Sequence, residues 1–185
     1  MNQMDLLAEI STKIQSLHRH PSAEGLRAAV RHVEVAERWL LRARREQEDD
    51  LLNDVIYRTN QAFEGMLKEA YQVFTGADGG KLRPHDIERY FLDNKVLTQR
   101  ALQLFSNYRR DWRNASTHDH RLFFKEQEAL LAIVSVTAFS LILLDQIIER
   151  VSYEREQKLL ERRKEYLQQE VVVNDFAPLH EQILS

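Results

Sequence analysis

The sequence predicts an all-α fold, a bundle of long antiparallel helices with an extended, charged C-terminal helix. Three observations predict it. Only five glycines and three prolines punctuate 185 residues, and few turn-formers in a long chain mean few turns. Apolar side chains recur three and four residues apart in one segment after another, which is the period of one helix face. Outside Val171–Val173 nothing reads as a strand.

The first helix is expected near 4–17, where Leu6, Leu7, Ile10, Ile14 and Leu17 form one stripe. "HRHPSAEG" (18–25) breaks it, and Ser22 is the expected N-cap of a second helix near 23–47, because a serine hydroxyl accepts one of the first unpaired N–H groups. Asp49-Asp50 marks a tight turn or a weak point in a continuing helix, after which Leu52, Val55, Ile56, Phe63, Met66 and Leu67 carry the period to about 75. "TGADGGK" (75–81) is a loop. It is not a phosphate loop, since that pattern needs Ser or Thr after the lysine and here Leu82 follows Lys81. Pro84 suits the first turn of a short helix over 84–93. Thr98 caps the next, 98–112. A helix over about 123–148 is apolar on nearly all sides and must be surrounded by other helices. Its run 129–144 is 16 residues long and includes Ser135, Thr137 and Ser140, short of the roughly 20 that span a bilayer. From Val151 to Glu170 the composition turns to charge, with Tyr153, Leu160 and Leu167 seven apart. The tail Val171–Ser185 reads either as a frayed end or as a docking turn built on Phe176, Leu179, Ile183 and Leu184.

These boundaries give an N-terminal helix and loop (1–21), a helical bundle (22–150) and a charged extension with its tail (151–185). There are no cysteines, which excludes disulfides and thiolate chemistry and suits a reducing compartment. "MNQMDLLAEI" lacks the basic start and apolar core of a signal peptide, so a cytoplasmic protein with no membrane association is expected. The Asn114-Ala115-Ser116 sequon is discounted for the same reason.

Net charge is −3, so nothing global indicates a nucleic-acid binder. The local balance differs. Over 100–125, Arg100, Arg109, Arg110, Arg113, Arg121 and Lys125 stand against only Asp111 and Asp119. Inside this basic stretch lies "RNASTHDH" (113–120), running straight toward the most apolar helix. Arg-x4-His is expected by chance roughly 0.7 times in a chain of this composition, and it occurs twice, at Arg27/His32 and Arg113/His118. The first pair sits within one amphipathic helix, where five residues turn through about 500° and leave the side chains about 140° apart. It reads as a surface coincidence, since the two cannot converge on one atom. The second sits at a helix–helix junction whose Asn114, Ser116, Thr117 and Asp119 favour caps and turns. Non-helical backbone there can bring Arg113 and His118 to one side, next to the free N–H groups of the following helix. A fixed cation, a titratable imidazole and backbone donors are what phosphodiester chemistry needs.

"RNASTH", preceded by an amphipathic helix and followed by an apolar one, resembles the signature of the HEPN superfamily: an arginine, a polar residue, and a histidine completing four to six residues. The resemblance covers roughly 50–148. It implies a helical bundle that dimerises so that two motifs face one cleft, and metal-independent endoribonuclease activity in toxin–antitoxin or antiviral defence systems, without a cofactor. Other members have lost activity and serve as interaction or nucleotide-binding modules, among them subunits of such complexes. Carried over by position, Arg113 holds the scissile phosphate, His118 is the general base or acid, and Asn114 orients His118 or bonds across the dimer. Arg109, Arg110, Arg121 and His120 are the implied RNA contacts. The position two after the histidine, a tyrosine in the branch regulated by nucleotidyltransferase antitoxins, is His120 here, so that form of regulation is not expected.

Overall fold

Six helices order the residues that the computed structural model describes, 3–108 and 123–181, with side chains at 6–103, 108 and 123–167. They are α1 (Gln3–Ser16), α2 (Ser22–Glu46), α3 (Asp50–Thr75), α4 (Pro84–Asp93), α5 (Gln99–Tyr108) and α6 (Glu126–Glu181), and no strand occurs among the described residues. The fold is all-α, a helical bundle.

Local chemistry explains most helix ends. Ser22 does not cap α2 as expected. It is the first helical residue, and its backbone N–H is taken by the His20 ring Nδ1 at 3.3 Å, with the Ser22 hydroxyl 2.7 Å from the same nitrogen. The break between α2 and α3 falls at Gln47, in the left-handed region at φ 56°, two residues before the acid pair. At the far end of α3, Gly76 at φ 72° closes the last turn by donating to Gln72 O at 2.8 Å, a conformation that glycine adopts without a Cβ penalty. Pro84 opens α4 at its first turn. The Thr98 hydroxyl accepts the Ala101 N–H at 3.2 Å. At the start of α6, Glu128 reaches back to the Lys125 N–H at 2.8 Å, the reciprocal half of a capping box.

Two compact units divide the chain, Met1–Ile148 and Glu149–Ser185. The first holds the core. Phe63 of α3 stacks on Tyr108 of α5 and Phe139 of α6 at centroid distances of 5.1 and 4.8 Å. Each such fully buried aromatic contributes about 1.5–3 kcal/mol. Phe74 and Tyr71 meet Phe91 and Tyr90 edge-on, seating α4 on α3. α2 and α3 meet where Gly65 faces Ala29: a Cβ added at Gly65 would sit 3.0 Å from the Ala29 Cβ. Further along the same pair Gly25 lies under the Glu69 carboxylate, and at the opposite end His32 faces Arg58.

By length and composition α6 is apolar enough to cross a membrane. Within this fold Ala129, Ala132, Ile133, Val136, Phe139, Leu143, Leu144 and Ile147 are buried in the first unit. The polar residues of that run are accommodated as core residues: Thr137 and Ser140 are buried and donate to the carbonyls four residues back, at 2.7 and 2.8 Å. Lys13 pairs with Asp145, and Arg44 with Glu126 at 2.8 Å, tying α1 and α2 to α6. Such part-exposed pairs contribute about 0–1 kcal/mol each.

The second unit is helical backbone as far as Glu181. Among its described side chains, Tyr153, Leu159, Leu160, Tyr166 and Leu167 are apolar and more than half exposed. The proposed docking face of the tail, Phe176 to Leu184, lies outside the described side chains.

Candidate functional site

All seven residues singled out at the Arg113–His118 motif (Arg109, Arg110, Arg113, Asn114, His118, His120 and Arg121) lie outside the described residues, as does Asp119. The residues on either side are described, and both are tied to α3. On the upstream side, Tyr108 is 2 % exposed, and its hydroxyl bridges Thr59 Oγ1 at 2.9 Å and Asn60 Oδ1 at 2.8 Å. Burial pushes its phenol well above the usual tyrosine range, partly offset by the Thr59 hydrogen bond, so the group stays a neutral donor. On the downstream side, Asn53 Oδ1 accepts the Phe124 N–H at 3.3 Å. Seven residues separate Asn53 from Asn60, so the two anchors stand roughly 10 Å apart along α3. The chain that carries the motif therefore leaves and rejoins the core over two turns of a single helix. Thr59 and Asn60 are buried polar groups, and their bonds to Tyr108 explain why they are tolerated there.

A second cluster gathers at the other Arg-x4-His pair. Arg27 and His32 line one groove of about 770 Å³, together with Arg31 and, from α3, Arg58. On its α3 side Arg58 Nη1 lies 3.3 Å from His32 Nδ1 and donates to Gln61 Oε1 at 3.1 Å. Burial, then the nearby Arg58 charge, lowers the His32 pKa below its ordinary 6.5. A neutral ring accepting at Nδ1 carries its proton on Nε2. The sequence reading missed this cluster because it treated α2 alone. Arg58 is 26 residues from His32, and only the close approach of α2 and α3 at Gly65 joins them.

Among the described residues no three His, Cys, Asp or Glu side chains gather as metal ligands would. Comparison with protein-family models, curated proteins and solved structures finds no match to this chain.

Proposed function

We propose that this protein is a metal-independent endoribonuclease of the HEPN type, a cytoplasmic toxin or defence effector that cleaves RNA as a homodimer. The observation that carries the reading is the double anchoring of the motif-bearing chain. Tyr108 and Phe124, the described residues on either side of the motif, are both held on α3, and this supports the reading because a catalytic pair needs a fixed scaffold beside it. The pairings of Gly25 with Glu69, Gly65 with Ala29 and His32 with Arg58 run in opposite order along α2 and α3, supporting the antiparallel bundle that the family resemblance implies. Exposed Phe123, Leu131 and Val134, on the chain that follows the motif, support a second copy covering that face.

In this reading the ribose 2′-oxygen attacks the adjacent phosphorus, the bond to the 5′-oxygen breaks, and a 2′,3′-cyclic phosphate remains. His118 takes the 2′-OH proton or protonates the leaving 5′-oxygen, and a second copy supplies the other group. Arg113 stabilises the extra negative charge of the pentacoordinate state. Asn114 orients His118, and Arg109, Arg110, Arg121 and His120 hold the RNA. Cleavage is expected to persist in EDTA and to yield cyclic ends. His118→Ala should abolish it, and Arg113→Ala should lower the rate by about two to three orders of magnitude. A His118→Ala protein that cleaves as fast as the unmodified chain refutes the proposal.

A second reading, a non-catalytic HEPN-fold subunit of a toxin–antitoxin or defence complex, is favoured by the exposed apolar residues of the second unit, Tyr153, Leu159, Leu160, Tyr166 and Leu167. It expects a partner protein that is lost when 171–185 are deleted. A clean, RNA-cleaving homodimer counts against it.

A further inference from the structure

Past the core, α6 leaves a sorted surface exposed. Tyr153, Leu159, Leu160, Tyr166 and Leu167 are each more than half exposed, and they fall on one side of the helix. At 100° per residue, these five and Ser152, Glu156 and Arg163 share an arc of about 140°. The opposite side holds Glu154, Lys158, Glu161 and Glu165. An apolar stripe on an otherwise charged helix marks a contact surface.

The order of residues in the stripe identifies what covers it. Counted outward from the midpoint between Leu159 and Leu160, Glu156 stands as far on one side as Arg163 on the other, and Tyr153 as far as Tyr166. The stripe therefore matches its own reversed copy, with opposite charges at the matched positions. That is the self-complementarity of a twofold interface, in which residue i meets j and j meets i. The charges also select the direction. Laid parallel, two copies would set Glu156 beside Glu156 and Arg163 beside Arg163, and such like-charge contacts oppose association. Laid antiparallel, they set each Glu156 beside an Arg163. Among the described residues neither Glu156 nor Arg163 forms an ion pair, whereas Arg150 on the same helix is bonded to Glu154 at 2.6 Å. Seven residues apart, roughly 10 Å along the axis, Glu156 and Arg163 are too distant to pair within one helix.

We propose that residues 152–167 pair antiparallel with the same segment of a second copy of this chain, the twofold axis passing between Leu159 and Leu160 and two reciprocal Glu156–Arg163 ion pairs fixing the register. Sixteen residues give a contact about 24 Å long, and two heptad steps are short for a coiled coil, so the pairing is reversible and follows concentration. It uses no residue of the Arg113–His118 motif, and it stands whether or not the protein cleaves RNA.

The test is energy transfer between full-length chains. The protein has no cysteine, so Lys158→Cys, on the side away from the stripe, takes a single donor or acceptor dye. Transfer between donor and acceptor batches is expected to rise with concentration. Glu156→Arg and Arg163→Glu, each alone, set like charges together at both reciprocal contacts and should weaken association by about tenfold or more. The double variant should recover it. Mixing the two single variants should recover it too, because each copy then meets opposite charges at both contacts. All three substituted positions are exposed, and circular dichroism reports that the helix is retained. No transfer at any concentration, as when the stripe serves a helix of another protein, overturns the proposal. So do single variants that associate as well as the unmodified chain, or a mixture of the two that does not recover. Transfer that persists unchanged through every charge variant sinks this pairing but leaves a dimer at the motif face intact, so the two readings fail separately.

Discussion

The Tyr108 hydroxyl lies within hydrogen-bond distance of Thr59 Oγ1 and Asn60 Oδ1, and that makes a single oxygen worth testing. Tyr108→Phe leaves Thr59 and Asn60 buried without that partner, and the expected loss is about 1–3 kcal/mol, read as a lower urea midpoint at unchanged slope. On the proposed reading, RNA cleavage should fall with it. His32 offers a pH test. Its folded pKa lies below the unfolded value of 6.5, first through burial and then through Arg58. The stability this contributes is present above pH 6.5 and is lost as pH falls through the lower folded value. The thermal midpoint should therefore decline on the acid side of 6.5, and His32→Gln should flatten that part of the profile. Neither side chain could be assigned these surroundings from sequence. The period of each helix marks which positions turn inward, but it does not say that Tyr108 meets Thr59 or that Arg58 meets His32, because both contacts cross between helices.

Helix ends were legible wherever a residue carries its own conformational preference. Pro84 fixed the start of α4, Gly76 ended α3, and Thr98 supplied the hydroxyl at the head of α5. Legibility failed where an unremarkable residue took an unusual role. Gln47, in the left-handed region, breaks the chain two residues before the acid pair expected to mark a tight turn or a weak point, and His20 does the capping expected of Ser22. The flip to charge after 150 proved to be a change of surroundings and not of backbone. Glu, Arg, Lys, Gln and Leu are all strong helix formers, so α6 continues through it to Glu181. The α2–α3 contact rests on a missing side chain. Gly65→Leu would force a branched group into the space the Ala29 methyl occupies, and a loss of about 1–3 kcal/mol is expected, measured by chemical unfolding. Gln72→Leu, at an exposed position of the same helix, serves as the control.

At the scale of the whole molecule, the core belongs to the unit Met1–Ile148, whereas the described side chains of the other unit, 149–167, are exposed or half-buried. A chain ending at Arg150 should keep the cooperative unfolding transition of the full protein, with a midpoint within a few degrees, in differential scanning calorimetry. A broad, non-cooperative melt would mean that the extension contributes to the core after all. The same division explains what the sequence could and could not announce. Compositional contrast, apolar before 148 and charged after 150, is visible in the sequence itself. The grouping of Arg27, Arg31 and Arg58 left no compositional trace, because they come from two helices and are spread over 32 positions.

Tyr108 and Phe124 stand on the same stretch of α3, and this makes the protein modular in an unusual place. The bonds that hold these two positions come from Asn53, Thr59 and Asn60 of α3, all outside the segment 109–123 that they bracket. A change at Asn53, Thr59 or Asn60 therefore reaches both borders of that segment from within α3, without altering a residue of the segment itself.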